Sequence, residues 1–297
     1  MKRTYSKWCS IALIAGIYLL AGVIGWGVFR ELIGTGILSI EPMHPIWALL
    51  CADVVATIVV WAGGLLYENV SVYDPYWSVF PPVVFLLWMC YTQTCSLAVV
   101  LLLIATWYWG WRLTRNWAIT FKGIAHEDWR YTKYRSLHPV LFHLINLFGL
   151  NMVPTLVVFG AMLPGLQLYE TPPTVLPCGE MISTLIVALG CVVCVASATI
   201  QLIADKQIHE FRTANPGKTC NVGLWKKGRH PNYFGEIQFW WGIWIMYAGL
   251  HGIDWYICGP IAMTCLFLGI SIPLMEHRQL ANKPDYAAYR QQTRLLI

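Results

Sequence analysis

A cluster of side chains able to do chemistry stands at the head of an apolar run. The segment GRHPNYFGE, residues 228–236, places Arg229, His230, Asn232, Tyr233 and Glu236 ahead of FWWGIWIMYAGL. Asn232 and Glu236 are four apart, so a helix puts them on one face. Pro231 suits a first helical turn, where its missing N–H is needed by nothing. A helix start also offers free N–H groups to an anion, and Lys226, Lys227 and Arg229 add positive charge just outside it. A carboxylate opening a membrane-grade run is costly unless partnered, which a simple anchor would avoid. Glu236 therefore marks the lip of a site where a soluble charged molecule meets an apolar pocket.

A second patch has the same character. In ATIQLIADKQIHEFRTANPGKT, residues 198–219, Gln201, Asp205, His209 and Arg212 follow at spacings of four, four and three. One helical face carries them, and Asn215-Pro216-Gly217 stops the helix. Asp205 can accept from ribose or amide groups. Arg212 suits a phosphate because its planar fork makes paired hydrogen bonds. A plain helix end with solvated charges is the alternative. The third patch, residues 112–135, holds Arg112, which can point back into a bundle. It also holds Glu127, Asp128, Arg130 and Tyr131, which can bridge loops or bind cofactor. The fourth, ENVSVYDPYWSVFPP, sets Asp74 between two apolar runs beside Tyr73, Tyr76 and Trp77, with no Lys or Arg near in sequence. Such a site favours a neutral carboxyl able to donate to a developing oxyanion; a turn residue capping the next helix is the bland reading. In the tail, His277 ends the last run, and Tyr286 and Tyr289 are three apart on a short helix that can fold back over a cofactor.

The elements that must position these residues are membrane helices. The chain is 57% hydrophobic and 12% charged, with mean hydropathy +0.55, about half the charge of a soluble domain. The apolar runs are long and do not alternate, which selects helices over a barrel. Runs lie at roughly 11–29, 46–66, 78–91, 96–115, 140–163, 180–203, 233–249 and 255–274; the third and seventh are short. The fold class is thus all-α, a polytopic bundle of seven or eight transmembrane helices. One membrane domain spans 1–297, with an anchor helix and linker at 1–45, a core at 46–297 and a tail at 276–297. The first run lacks a cleavage pattern and reads as an anchor.

Of the 20 Lys and Arg, three precede the first run (Lys2, Arg3, Lys7), six lie at 112–135, six at 206–229 and four at 278–294; only Arg30 falls elsewhere. With eight crossings every cluster faces the cytoplasm. This places the site at the cytoplasmic end and on anionic lipid or an anionic cofactor. Most of the ten Cys sit in apolar runs, and no zinc spacing is present. No metal and no nucleic acid is expected.

The ordered set of YDPYWS (73–78), WGWRLTRN (109–116), HEDWRY (126–131), GLWKKGRHPNYFGE (223–236) and the Tyr-rich end with TRLLI resembles the steroid 5α-reductase family, in its bacterial branch formerly known as a domain of unknown function. It covers about 73 to 297. The resemblance implies NADPH as cofactor and reduction of the C4=C5 double bond of 3-oxo-Δ4 steroids or a similar enone lipid, in a bacterial inner membrane. It implies cofactor contacts at Asp205, Arg212, Asn232, Tyr233, Glu236, His277 and Tyr289, with Arg112 also a candidate. Asp74 falls where the family holds the steroid 3-oxo group. The family's second contact, a tyrosine, falls at Trp109, which leaves Tyr108 or Tyr76 to serve.

The RHPNYxGE element is shared with membrane sterol reductases, and a similar one occurs in isoprenylcysteine methyltransferases. An S-adenosylmethionine-dependent methyltransferase of prenyl-cysteine or phospholipid is therefore the rival reading. A transporter is a second; against it, the sequence shows no internal repeat.

Overall fold

The computed structural model describes residues 5–38, 41–170 and 177–297; Lys2 and Arg3 of the first basic cluster lie outside them. All eight apolar runs are helical: α1 (Lys7–Leu32), α2 (Pro45–Leu66), α3 (Tyr76–Thr92), α4 (Leu97–Thr120), α6 (Pro139–Gln167), α7 (Glu180–Ala214), α8 (Pro231–His251) and α9 (Trp255–Asn282). Two short helices, α5 (Trp129–Thr132) and α10 (Tyr286–Gln292), lie in the polar segments. Helix is the outcome because lipid offers the backbone no hydrogen-bond partner. Six of the eight, all but α3 and α8, are long and apolar enough to cross a membrane by themselves. Where seven or eight crossings are expected, six helices among the described residues satisfy these criteria. The other two are the runs already short in sequence: α3 has 17 residues, and α8 begins with the polar Asn232–Glu236 turn.

The described chain forms two compact units. One comprises residues 1–80 and 113–159, the other 81–112 and 160–297.

In the first unit, α1 lies along α2. A side chain at Gly25 would come within 3.2 Å of the Ala52 carbonyl, so glycine permits the close approach. Ile14, Ala21, Ala56, Val60, Tyr73, Tyr76 and Phe121 fill the core between them. The turn after α2 is held by the polar segment after α4. Asn69 Nδ2 donates to the carbonyls of Ile124 (2.7 Å) and His126 (3.1 Å), and Glu127 Oε1 accepts from the Val70 N–H at 2.9 Å. Of the two uses anticipated for the HEDWRY segment, the structure shows the loop-bridging one.

In the second unit, α7 and α8 pack along a seam of small residues at seven-residue spacing: Ser183, Gly190 and Ser197 on one helix, Gly235, Gly242 and Gly249 on the other. A Cβ on Gly190 would sit 2.7 Å from the Gly242 carbonyl, and one on Gly235 2.7 Å from that of Ser197. Backbones this close gain dispersion contacts that lipid cannot replace. The seam also brings the polar starts and ends of these helices together. α7 runs on past its apolar stretch to Ala214 and stops at Asn215, as the Asn-Pro-Gly stop signal predicts.

Candidate functional site

Three helices of the second unit each contribute a pair of residues at helical spacing to one buried polar cluster. α4 supplies Trp109 and Arg112, α7 supplies Gln201 and Asp205, and α8 supplies Glu236 and Trp240. Arg112 Nη1 donates to Asp205 Oδ2 at 2.7 Å, Nη2 donates to Gln201 Oε1, and Nη2 lies 3.6 Å from Glu236 Oε2. Glu236 accepts from the Trp109 indole (3.0 Å to Oε2) and the Trp240 indole (3.0 Å to Oε1). Arg112, Gln201 and Glu236 are at most 2% exposed and Asp205 is 9% exposed. One guanidinium thus faces two carboxylates away from water. Yet Arg112 Nε and Gln201 Nε2 are buried N–H donors with no acceptor among the described residues. Buried donors are normally paired, and each exception calls for an explanation.

The remaining sequence-predicted residues surround this cluster unevenly. Arg212, two turns beyond Asp205, is exposed and forms no ion pair among the described residues, while Asp205 and Tyr233 act on it electrostatically. The strip on α7 therefore divides: Gln201 and Asp205 are buried, His209 and Arg212 exposed. Asn232 and Tyr233 are half-buried in the first turn of α8, and the Tyr233 ring stacks on His230 with centroids 5.4 Å apart. Tyr108 shares a 3.2 Å hydrogen bond with the Thr199 hydroxyl. His277 is exposed and makes no hydrogen bond or ion pair among the described residues. Tyr289 gives its hydroxyl to the Trp225 carbonyl, so it braces the tail.

Sequence reasoning missed that brace. The tail returns along residues 228–230: the N–H groups of Arg229 and His230 donate to the carbonyls of Arg294 (2.9 Å) and Leu295 (3.2 Å). Glu276, 7% exposed, anchors the arrangement. Its Oε1 accepts from Arg229 Nε at 2.6 Å and lies 3.4 Å from His230 Nε2, while Arg290 Nε is 3.2 Å from Oε2. Burial pushes the His230 imidazole down from 6.5 to about 4, against the pull of Glu276. His230 is thus neutral at neutral pH, and the arginines supply the charge. The unfolded chain takes up this proton near pH 6.5, the folded chain only near 4. Stability from the buried neutral ring is present above 6.5 and is lost as pH falls toward 4, by up to about 3 kcal/mol. The apparent Tm of wild-type protein should therefore fall between pH 6.5 and 5 more steeply than that of His230→Gln. Equal slopes would contradict the buried neutral ring.

The first unit holds its own polar constellation. Asp74 Oδ1 accepts from the Tyr131 hydroxyl and from Arg130 Nη2 at 3.2 Å. No Lys or Arg is near Asp74 in sequence, and it is the loop-bridging segment that delivers Arg130. Burial raises the Asp74 carboxyl, and the Arg130 guanidinium opposes it. Tyr76, 6% exposed, gives its hydroxyl to Asp53 Oδ1 at 2.9 Å. Asp53 itself was not anticipated. It stands inside PIWALLCADVVATIVV, where a lone acid in an apolar run was the available signal.

Fold and cluster together define a polytopic helical membrane protein that buries ionisable groups among its helices. More particularly, residues 60–293 match the family described as a protein of unknown function, DUF1295, and the chain belongs to that family. Comparison with curated proteins and with solved structures finds no match.

Proposed function

We propose that the chain is an NADPH-dependent membrane reductase, an oxidoreductase acting on the C4=C5 double bond of 3-oxo-Δ4 steroids or a similar enone lipid. The observation that carries this reading is the Arg112–Gln201–Asp205–Glu236 cluster with its two acceptorless N–H donors. A helical bundle has no packing reason to bury such groups, and a polar ligand with carbonyl or phosphate oxygens would complete them. The exposed Arg212 nearby suits a phosphate. A carboxylate has about four acceptor positions, so Glu236 keeps capacity for an amide donor beyond its two indoles. Asn232 and Tyr233 lie half-buried in the first turn of the same helix.

The residues therefore fit a dinucleotide at Arg212, Asp205, Asn232, Tyr233 and Glu236. Arg112 holds Asp205 and Glu236 in place. Tyr289 enters as a brace of the tail, and His277 keeps only its place at the end of α9. The cofactor, when bound, supplies a hydride to the β-carbon of the enone. Negative charge then develops on the substrate carbonyl oxygen, and we assign its stabilisation to Asp74 as a neutral acid that donates from Oδ2, with Tyr131 and Arg130 bound to Oδ1; a proton from water or a tyrosine then reaches the α-carbon. Tyr76 and Tyr108 remain the candidate second donors. The basic clusters support a reading with the cofactor loops and the C-terminus on the cytoplasmic side, and the family resemblance one in a bacterial inner membrane.

Asp74→Ala should lower progesterone turnover by about a hundredfold or more while NADPH binding stays within threefold. Product analysis of 5α-reduced progesterone and a separate NADPH titration check this. Full turnover in the variant would remove Asp74 from the reaction.

A further inference from the structure

Asp53 lies in the interior of α2, a helix apolar enough to span a membrane, and is 2% exposed. It falls ahead of residues 60–293, the part of the chain matched to the family. Its side chain makes one hydrogen bond among the described residues, the 2.9 Å contact with the Tyr76 hydroxyl. No cation is within ion-pair distance of it among these residues.

The neighbouring groups do not solvate a charge there, because their bonds are made elsewhere. Thr57, one turn on along α2, shares a 3.0 Å hydrogen bond with Thr155 of α6. Thr155 in turn is 2.7 Å from the Tyr73 hydroxyl. Tyr18 of α1 donates to the Val72 carbonyl. Asp74, the next acid along the chain, is engaged by Arg130 and Tyr131. An ionised carboxylate with one donor in such surroundings costs several kcal/mol, whereas the neutral acid costs far less.

The protonation state decides which way the Asp53–Tyr76 bond runs. An ionised Asp53 takes the Tyr76 proton and leaves that hydroxyl with none to offer. A neutral Asp53 donates its own proton to the Tyr76 oxygen, which the Thr57 hydroxyl also faces, and the Tyr76 O–H is then no longer committed to Asp53. We propose that Asp53 is a positioning residue for Tyr76: as a neutral acid it donates to the Tyr76 oxygen and turns the Tyr76 hydroxyl proton outward, toward the carbonyl of the enone substrate. This rests on the reductase reading and selects Tyr76 over Tyr108 as the second donor.

The test has two readouts. Infrared spectra of the full chain in lipid vesicles at neutral pH are compared between wild type and Asp53→Asn. A carboxylic-acid carbonyl band present in wild type and missing in the variant is the expected result. No difference in that region means an ionised Asp53 and overturns the proposal. Tyr76→Phe keeps the ring and should move the band; an unmoved band also overturns it, and this arm stands even if an Asp53 variant does not fold.

The second readout is progesterone reduction with NADPH. Asp53→Ala should lower kcat about tenfold with little change in KM. Asp53→Asn, whose amide N–H can donate to Tyr76 as the acid does, should restore most of that loss. An Asp53→Ala enzyme with wild-type kcat, or an Asp53→Asn enzyme that recovers none of the loss, overturns the proposal. Failure of the wild type to reduce any enone would instead remove the reductase reading, and the role of Tyr76 with it. The acid band would still report the state of Asp53.

Discussion

Arg112→Met should cost the protein about 3–5 kcal/mol, enough to prevent its accumulation as folded material. Methionine replaces much of the side-chain volume, so the loss is electrostatic rather than steric. Arg112 is the single cation of its cluster. It reaches Asp205 at 2.7 Å, approaches Glu236 at 3.6 Å and donates to Gln201. Its removal leaves Glu236 without its ion-pair partner and Asp205 with only the more distant Arg212. Breaking a buried ion pair from one side is far worse than replacing the whole pair by neutral groups. The triple variant Arg112→Met, Asp205→Asn, Glu236→Gln should therefore recover much of the lost stability, as read by thermal unfolding in detergent. A single variant as stable as wild type would show that the cluster does not hold the helices of this unit together. A triple variant less stable than the single one would show that charge is not what the single one lacks.

Arg212→Ala should have the opposite profile. Its side chain is exposed and makes no ion pair among the described residues, so thermal stability should stay within about 0.5 kcal/mol. NADPH affinity should fall about ten- to a hundredfold, the worth of a charge-assisted hydrogen bond to phosphate. Titration of NADPH against wild type and variant at one salt concentration checks this. Unchanged affinity would take the phosphate away from Arg212 and leave the cluster behind it without its expected neighbour. The two variants separate the two halves of one helical strip. Asp205 and Arg212 are seven residues apart on α7, yet one belongs to a buried network and the other to the surface.

That division was only half legible in the sequence. The eight apolar runs become eight helices because composition and lipid leave the backbone no alternative. The end of α7 at Asn215 could be read from a Pro-Gly stop signal. The spacing of Gln201, Asp205 and Arg212 put them on one face, and Glu236 was conspicuous at the head of its run. Partners from other helices could not be read this way. Local spacing says nothing about Arg112 crossing to Asp205, or about Arg130 reaching Asp74 from 56 residues away. Trp109 and Trp240 were hidden among 16 tryptophans, most of them plausible as membrane-interface anchors. Trp240 did carry a signal, since it is four residues after Glu236 and must share its face. The resemblance assigns Tyr289 to the cofactor, and nothing in the tail's sequence hints that the Trp225 carbonyl takes its hydroxyl. Asp53 was overlooked because the surrounding run is so apolar that it reads as an ordinary span.

The reductase account stands or falls on the ligand that completes the acceptorless donors of Arg112 and Gln201. Purified full-length protein should be titrated separately with NADPH and with S-adenosylmethionine, following thermal stabilisation and binding at equilibrium. Saturable binding and stabilisation by NADPH, with none by the methyl donor, is the predicted result. Stabilisation by S-adenosylmethionine alone would contradict the account and make the chain a methyltransferase.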